Sequence, residues 1–132
     1  MWLLKTEPST YGYDDLEKEG RAVWDGVKNP FALRNLREMK VGDRVVVYHT
    51  GDQKAAVGLA EVTREAYPDP KAKDPRLLVV DLKPKGRLAA PVTLATIKQQ
   101  AIFADSPLVR QGRLSVVRLT APQWKALTGG SK

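Results

Sequence analysis

The chain has 132 residues, 42% of them hydrophobic and 28% charged, with a formal net charge of +7 and no cysteine. That is enough chain for one hydrophobic core, and it excludes a disulfide framework, a thiolate nucleophile and any metal site built on sulfur. No apolar run approaches the roughly 20 residues of a membrane span, and no basic-then-apolar leader follows Met1, so a cytoplasmic protein is expected.

Trp2 to Lys5 reads as a first strand, stopped at Glu7-Pro8 because proline cannot donate to a ladder. Gly12 caps a helix over Tyr13–Glu19, with Asp14 and Asp15 in its first turn and Gly20 just past its end. Arg21 to Lys28 reads as irregular. Asn29 caps a second helix with Pro30 at its first position, where a missing N–H costs nothing, and Ala32, Leu33, Leu36 and Met39 form its inward stripe. A turn at Lys40–Asp43 leads into the strand Arg44–His49, whose run Val45-Val46-Val47-Tyr48 implies burial on both faces.

After a polar hairpin loop at 50–54, Ala55 to Arg64 returns as a long strand in which Gly58 marks a bend or a close backbone approach. Tyr67 to Pro75, with three prolines, reads as extended loop. Leu77 to Lys83 is a strand, Pro84–Arg87 a turn, and Leu88–Val92 a second pairing segment. Thr93 caps a short helix to Gln100, and short helical turns follow around Ser106-Pro107. Arg113 to Leu119 is the last strand. Thr120 and Gln123 make a capping box for a helix ending at Gly129-Gly130. Five or six strands with short helices between them, and no regular β-α-β alternation, predict one α+β domain over 1–132, built as a compact pseudo-barrel.

Two polar segments each carry a tryptophan: Trp2-Leu3-Leu4-Lys5-Thr6-Glu7-Pro8 and Trp24-Asp25-Gly26-Val27-Lys28-Asn29. An indole in such a segment either buries its ring with the N–H satisfied or offers a face to a flat ligand. Trp2, in a strand, and Trp124, on the apolar side of the last helix, read as structural, which leaves Trp24 open between the two. Residues 1–70 carry 10 basic and 12 acidic side chains and residues 71–132 carry 12 and 3, so all the excess positive charge lies in the second half. That asymmetry fits either a polyanionic partner or a merely solvated basic face.

The single histidine, His49, ends a buried strand with no nucleophile at a hydrolase spacing, so it reads as structural or ligand-polarising. One histidine with scattered acids does not make a metal cage, and no glycine-rich phosphate loop is present. Neither metal nor cofactor is expected.

Lys5-Thr6-Glu7-Pro8, Trp24 to Asn29, Met39 to Asp43, Tyr48-His49, Val57-Gly58, Tyr67-Pro68-Asp69-Pro70 and Arg113 to Val116 together resemble, in order, the motifs of the EVE domain. This family belongs to the PUA-like superfamily, which also contains the YTH readers. The sequence departs from the usual pattern at Thr6 (serine), Lys28 (arginine), Pro30-Phe31-Ala32 (Tyr-Gln-Ala) and Thr50 (serine), and it lacks a tryptophan before Leu78.

The resemblance implies a PUA-like barrel that reads a modified base in nucleic acid without catalysis, the base being a methylated or hydroxymethylated cytosine flipped from DNA. Carried over, Trp24 is the stacking wall, partly exposed. Lys5 and Thr6 approach the base or its phosphate, and Asp25 and Asn29 read the base edge. Lys28 keeps the charge of the usual arginine. Tyr48 and His49 line the floor, and Arg113 and Ser115 close the far side. The alternatives are an RNA-binding PUA-like module indifferent to modification and a small nucleotide-handling hydrolase using His49. A monomer without a membrane partner is expected.

Overall fold

Strand β1 (Trp2–Thr6) opens the computed structural model, which describes residues 1–129. It is followed by α1 (Tyr13–Glu19), β2 (Ala22–Trp24), α2 (Pro30–Glu38), β3 (Arg44–His49), β4 (Ala55–Pro68) and β5 (Leu78–Thr93). Then come α3 (Leu94–Lys98), a 3-10 turn at Ala101–Phe103, α4 (Pro107–Arg110), β6 (Val116–Arg118) and α5 (Ala121–Thr128). The six strands form one mixed sheet in the order β2-β5-β4-β3-β1-β6. Only β1 and β3 run parallel, with Leu3 beside Val46 and Leu4 beside Val47. The fold is an α+β PUA-like pseudo-barrel, a curled six-stranded sheet with short helices closing its ends.

The curl has a local cause. The β4–β5 ladder shifts register four times between Ala56 and Tyr67, and β3–β4 shifts once at Val47/Tyr48. Each shift leaves one or more residues unpaired, bends the strand and adds right-handed twist. This is why Leu78 to Thr93 forms one long strand instead of two segments around a turn at Pro84–Arg87. The bulged ladder absorbs the proline, and Gly86 takes φ 125°, a conformation open to glycine.

Two further departures follow from pairing that local pattern does not reveal. Ala22–Trp24, read as irregular, adds an edge strand on β5 with Trp24 opposite Val80. The last strand keeps only Val116–Arg118, so Arg113 sits in the turn before it. Strand β4 also runs past Arg64 to Pro68.

Capping chemistry matches the sequence closely. The Gly12 amide donates to Asp15 Oδ2 at 2.8 Å, and Gly20 ends α1 at φ 71°. Asn29 Oδ1 accepts from the Phe31 and Ala32 amides at 2.8 and 3.2 Å, and Thr120 with Gln123 completes the capping box of α5. Gly129 ends that helix, and Gly130 lies outside the described residues.

Tyr13, fully buried, packs its ring against Gly58 of β4, where a Cβ would come within 2.4 Å of a ring carbon. Its hydroxyl donates to Leu59 O at 2.6 Å and accepts from the Gly86 amide at 3.0 Å, which ties α1 to β4 and β5 together. Gly58→Ala is expected to cost about 1–3 kcal/mol as overpacking, read as a lower denaturant midpoint at unchanged slope.

Candidate nucleic-acid interface

A concavity of about 690 Å³ is lined by the end of β1 and by β2. That is within the range of small-ligand sites. Lys5 and Thr6 enter from β1, Tyr11 from the loop before α1, and Val23 and Trp24 from β2. Asp25 and Val27 follow on the next loop, Asp69 and Lys71 come from the β4–β5 connection, and Ser115 precedes β6. Arg21 and Glu19 complete the rim.

Lys5 is half buried, and desolvation holds its ammonium below the usual lysine value. One of its protons goes to Gly112 O at 3.0 Å, and the ammonium lies 5.8 Å from the Tyr48 ring centre. The remaining donors are stronger partners for an incoming oxygen than those of a hydrated lysine. Thr6 Oγ1 donates to Tyr11 O at 2.6 Å, which fixes the tyrosine loop on the strand. Tyr11 stands edge-on to Trp24, centroids 6.0 Å apart and planes at 89°. The Tyr11 hydroxyl is buried without a hydrogen-bond partner, and burial with the Glu19 carboxylate nearby pushes its ionisation far up. At working pH it is therefore protonated, with the Glu19 carboxylate as the acceptor near it.

Of the ten residues singled out in the sequence, Lys5, Thr6, Trp24, Asp25 and Ser115 line this cleft. Tyr48 is buried beneath Lys5. Trp24 is only 6% exposed, more enclosed than a stacking wall left largely open, because β2 pairs with β5 and Tyr11 covers the ring edge-on. Lys28, Asn29 and Arg113 are exposed outside the cleft lining. Asn29 has its oxygen committed to the α2 cap, so only its amide N–H groups are free.

His49 is 8% exposed, with Nε2 accepting the Tyr13 amide at 3.0 Å and Nδ1 2.7 Å from Gln53 Oε1. An acceptor Nε2 requires the proton on Nδ1, so both ring nitrogens are occupied by the fold. That leaves the imidazole no free nitrogen for a substrate. Among the described residues, no group of three acidic or imidazole side chains is placed to hold a metal, and no helix is long and apolar enough to cross a membrane.

Sequence reasoning missed Tyr11, Arg21 and Lys71. Asp69, beside Lys71, lay within the motif Tyr67-Pro68-Asp69-Pro70, so a signal for that wall existed. Nothing in the local pattern marked Tyr11.

This small curled sheet with a cleft at its open end is an EVE domain: the family's profile matches residues 1–129, and the chain belongs to that family. The chain is 28% identical over 158 aligned positions to thymocyte nuclear protein 1 of Danio rerio, covering 94% of this chain and 68% of that protein. With the Mus musculus protein the identity is 38% over 80 positions, covering 52% of this chain and 35% of its relative. The chain thus spans about a third of the mammalian relative it matches. Among solved structures, Rpa0253 from Rhodopseudomonas palustris is 40% identical with a TM-score of 0.90, covering 97% of this chain and 90% of that one. The human THYN1 protein, solved in complex with DNA containing 5-methylcytosine, shares the fold at 24% identity and a TM-score of 0.87, covering 99% and 98%.

His49→Ala is expected to strand the buried Tyr13 amide and lower stability by about 1–3 kcal/mol in denaturant titration. Trp24→Ala is expected to cost about 3–5 kcal/mol, as for a core aromatic. Tyr11→Phe, which removes a buried hydroxyl beside the Glu19 carboxylate, is expected to change stability by no more than about 1 kcal/mol in denaturant titration.

Proposed function

We propose that this EVE domain binds nucleic acid and takes one base, a cytosine with a small 5-substituent, out of its strand and into the cleft. The observation that carries the reading is the composition of the cleft. An aromatic pair, a half-buried ammonium and carboxylates share one concavity of base-accepting size. Carboxylates repel phosphate, so the backbone stays outside while Asp25 or Asp69 accepts from an exocyclic amine, as acidic side chains do from cytosine N4. Lys5 donates to the base's carbonyl edge. Thymine presents an oxygen where cytosine presents that amine, and the same carboxylates reject it. The human relative's complex with 5-methylcytosine DNA supports the choice of base.

Extrusion costs a few kcal/mol, least in single-stranded or mispaired DNA, and must be repaid by stacking and desolvated hydrogen bonds. Discrimination for the methyl group is modest by comparison. Val23 and Val27 offer apolar wall, and burying one methyl contributes about 0.8 kcal/mol, roughly a fourfold preference.

Fluorescence anisotropy with short DNA and RNA strands carrying cytosine, 5-methylcytosine or thymine at one position tests this directly. The expected order is 5-methylcytosine above cytosine by roughly fourfold, with thymine weakest. Three to six phosphate contacts would give a log–log salt slope of roughly −3 to −5 on duplex. Equal binding of all three bases would overturn base reading, and affinity flat in salt would overturn the nucleic-acid reading.

A further inference from the structure

Phe31 is 65% exposed at the first turn of α2. The ring is not on a loose loop. The Phe31 amide donates to Asn29 Oδ1 at 2.8 Å, and one turn on, Asn35 Nδ2 donates to Val116 O at 2.8 Å, which pins α2 to β6. Phe31, Arg34, Gln111 and Leu114 line a second, shallower groove of about 340 Å³.

Two chain segments connect this groove to the cleft. Trp24 to Val27 line the cleft and Phe31 lies just beyond them; Ser115 lines the cleft while Leu114 and Gln111 line the groove. The groove and cleft therefore adjoin along both segments. The charge on the two sides differs. Lys28, Arg34 and Arg113 are exposed, and none makes an ion pair among the described residues, whereas the groove's acid, Glu38, is held by Arg118 at 2.8 Å. Arg34 lines the groove with the exposed ring, and Lys28 and Arg113 lie on the two connecting segments; an electrostatic track and a stacking platform are the two parts of a single-strand binding surface.

We infer that this groove holds the nucleotide flanking the extruded base, its base stacked on Phe31 and its phosphates on Lys28, Arg34 and Arg113. The inference rests on the reading of the cleft proposed above. It assigns the protein a footprint longer than one nucleotide. It also places sequence-tolerant affinity in the groove and base selectivity in the cleft, because every base has a face to stack but only some have the matching edge.

The test compares two probes, 5-methyl-2′-deoxycytidine nucleoside and a short single strand carrying one 5-methylcytosine, against wild type, Phe31→Ala, Phe31→Trp and Arg34→Ala. Phe31→Ala is expected to weaken the strand roughly 5- to 150-fold, the worth of one stacked base, with nucleoside affinity and salt slope unchanged. Phe31→Trp is expected to hold or tighten the strand. Arg34→Ala should make the single-strand salt slope shallower by about 0.7. If wild type binds both probes and Phe31→Ala binds the strand as tightly, the groove inference fails and the cleft reading stands. Equal losses on nucleoside and strand would also overturn it, by putting Phe31 in the cleft itself. Binding of neither probe by wild type would remove the cleft reading and this inference together. Unchanged strand affinity with loss of a self-associated species would assign the groove to a second copy of the chain.

Discussion

The structure depends on the docking of one buried tyrosine into a curled sheet. Tyr13 meets His49 through its amide, Gly58 through its ring, and Leu59 and Gly86 through its hydroxyl, so a single residue contacts β3, β4 and β5. Each contact requires the others. Without glycine at 58 the ring cannot reach the sheet. Without the ring in place the hydroxyl cannot bridge two strands whose register is already shifted by bulges. Arg87 lies over the same ring and pairs with Asp14 and Glu17, which covers the docking point from outside.

That docking also builds the cleft. The chain leaves β1 at Thr6 and must return to Tyr13, and the short path between them carries Tyr11 to the cleft wall. Thr6 holds that path through the Tyr11 carbonyl, and the Thr50 amide donates to Thr6 O at 2.8 Å from the neighbouring strand. The wall opposite comes from β2, whose pairing with β5 turns Trp24 inward. Walls held in place before a ligand enters reduce the binding energy lost to ordering.

The positive charge of the second half of the sequence is distributed by the fold in an unequal way. Lys83 and Lys85 pair with Glu61, Arg110 with Asp105 and Arg118 with Glu38. Part of the second half's positive charge is therefore turned onto acids of the first half, Glu61 and Glu38. On the α2 side Lys28, Arg34, Arg37 and Arg113 make no ion pair among the described residues. Lysine at 28 in place of the family's usual arginine gives up a bidentate fork and keeps a point charge, which suits a backbone contact better than a base contact.

By itself the sequence determined the caps, the helices, the doubly buried third strand, the close approach at Gly58 and the family, because these rest on local spacing and on motifs that keep their order. It also marked five of the cleft's residues through those motifs. Tertiary structure alone decided the rest. Whether Ala22–Trp24 forms a strand depends on β5 lying beside it, some 55 to 60 residues away in sequence. Whether Leu78–Thr93 is one strand or two depends on bulges that only a bent partner can stabilise. The exposure of Trp24, the commitment of both His49 nitrogens and the recruitment of Tyr11 and Lys71 depend likewise on non-local pairing. A side chain's chemistry can be read from its type. Its availability is set by what the rest of the chain packs against it.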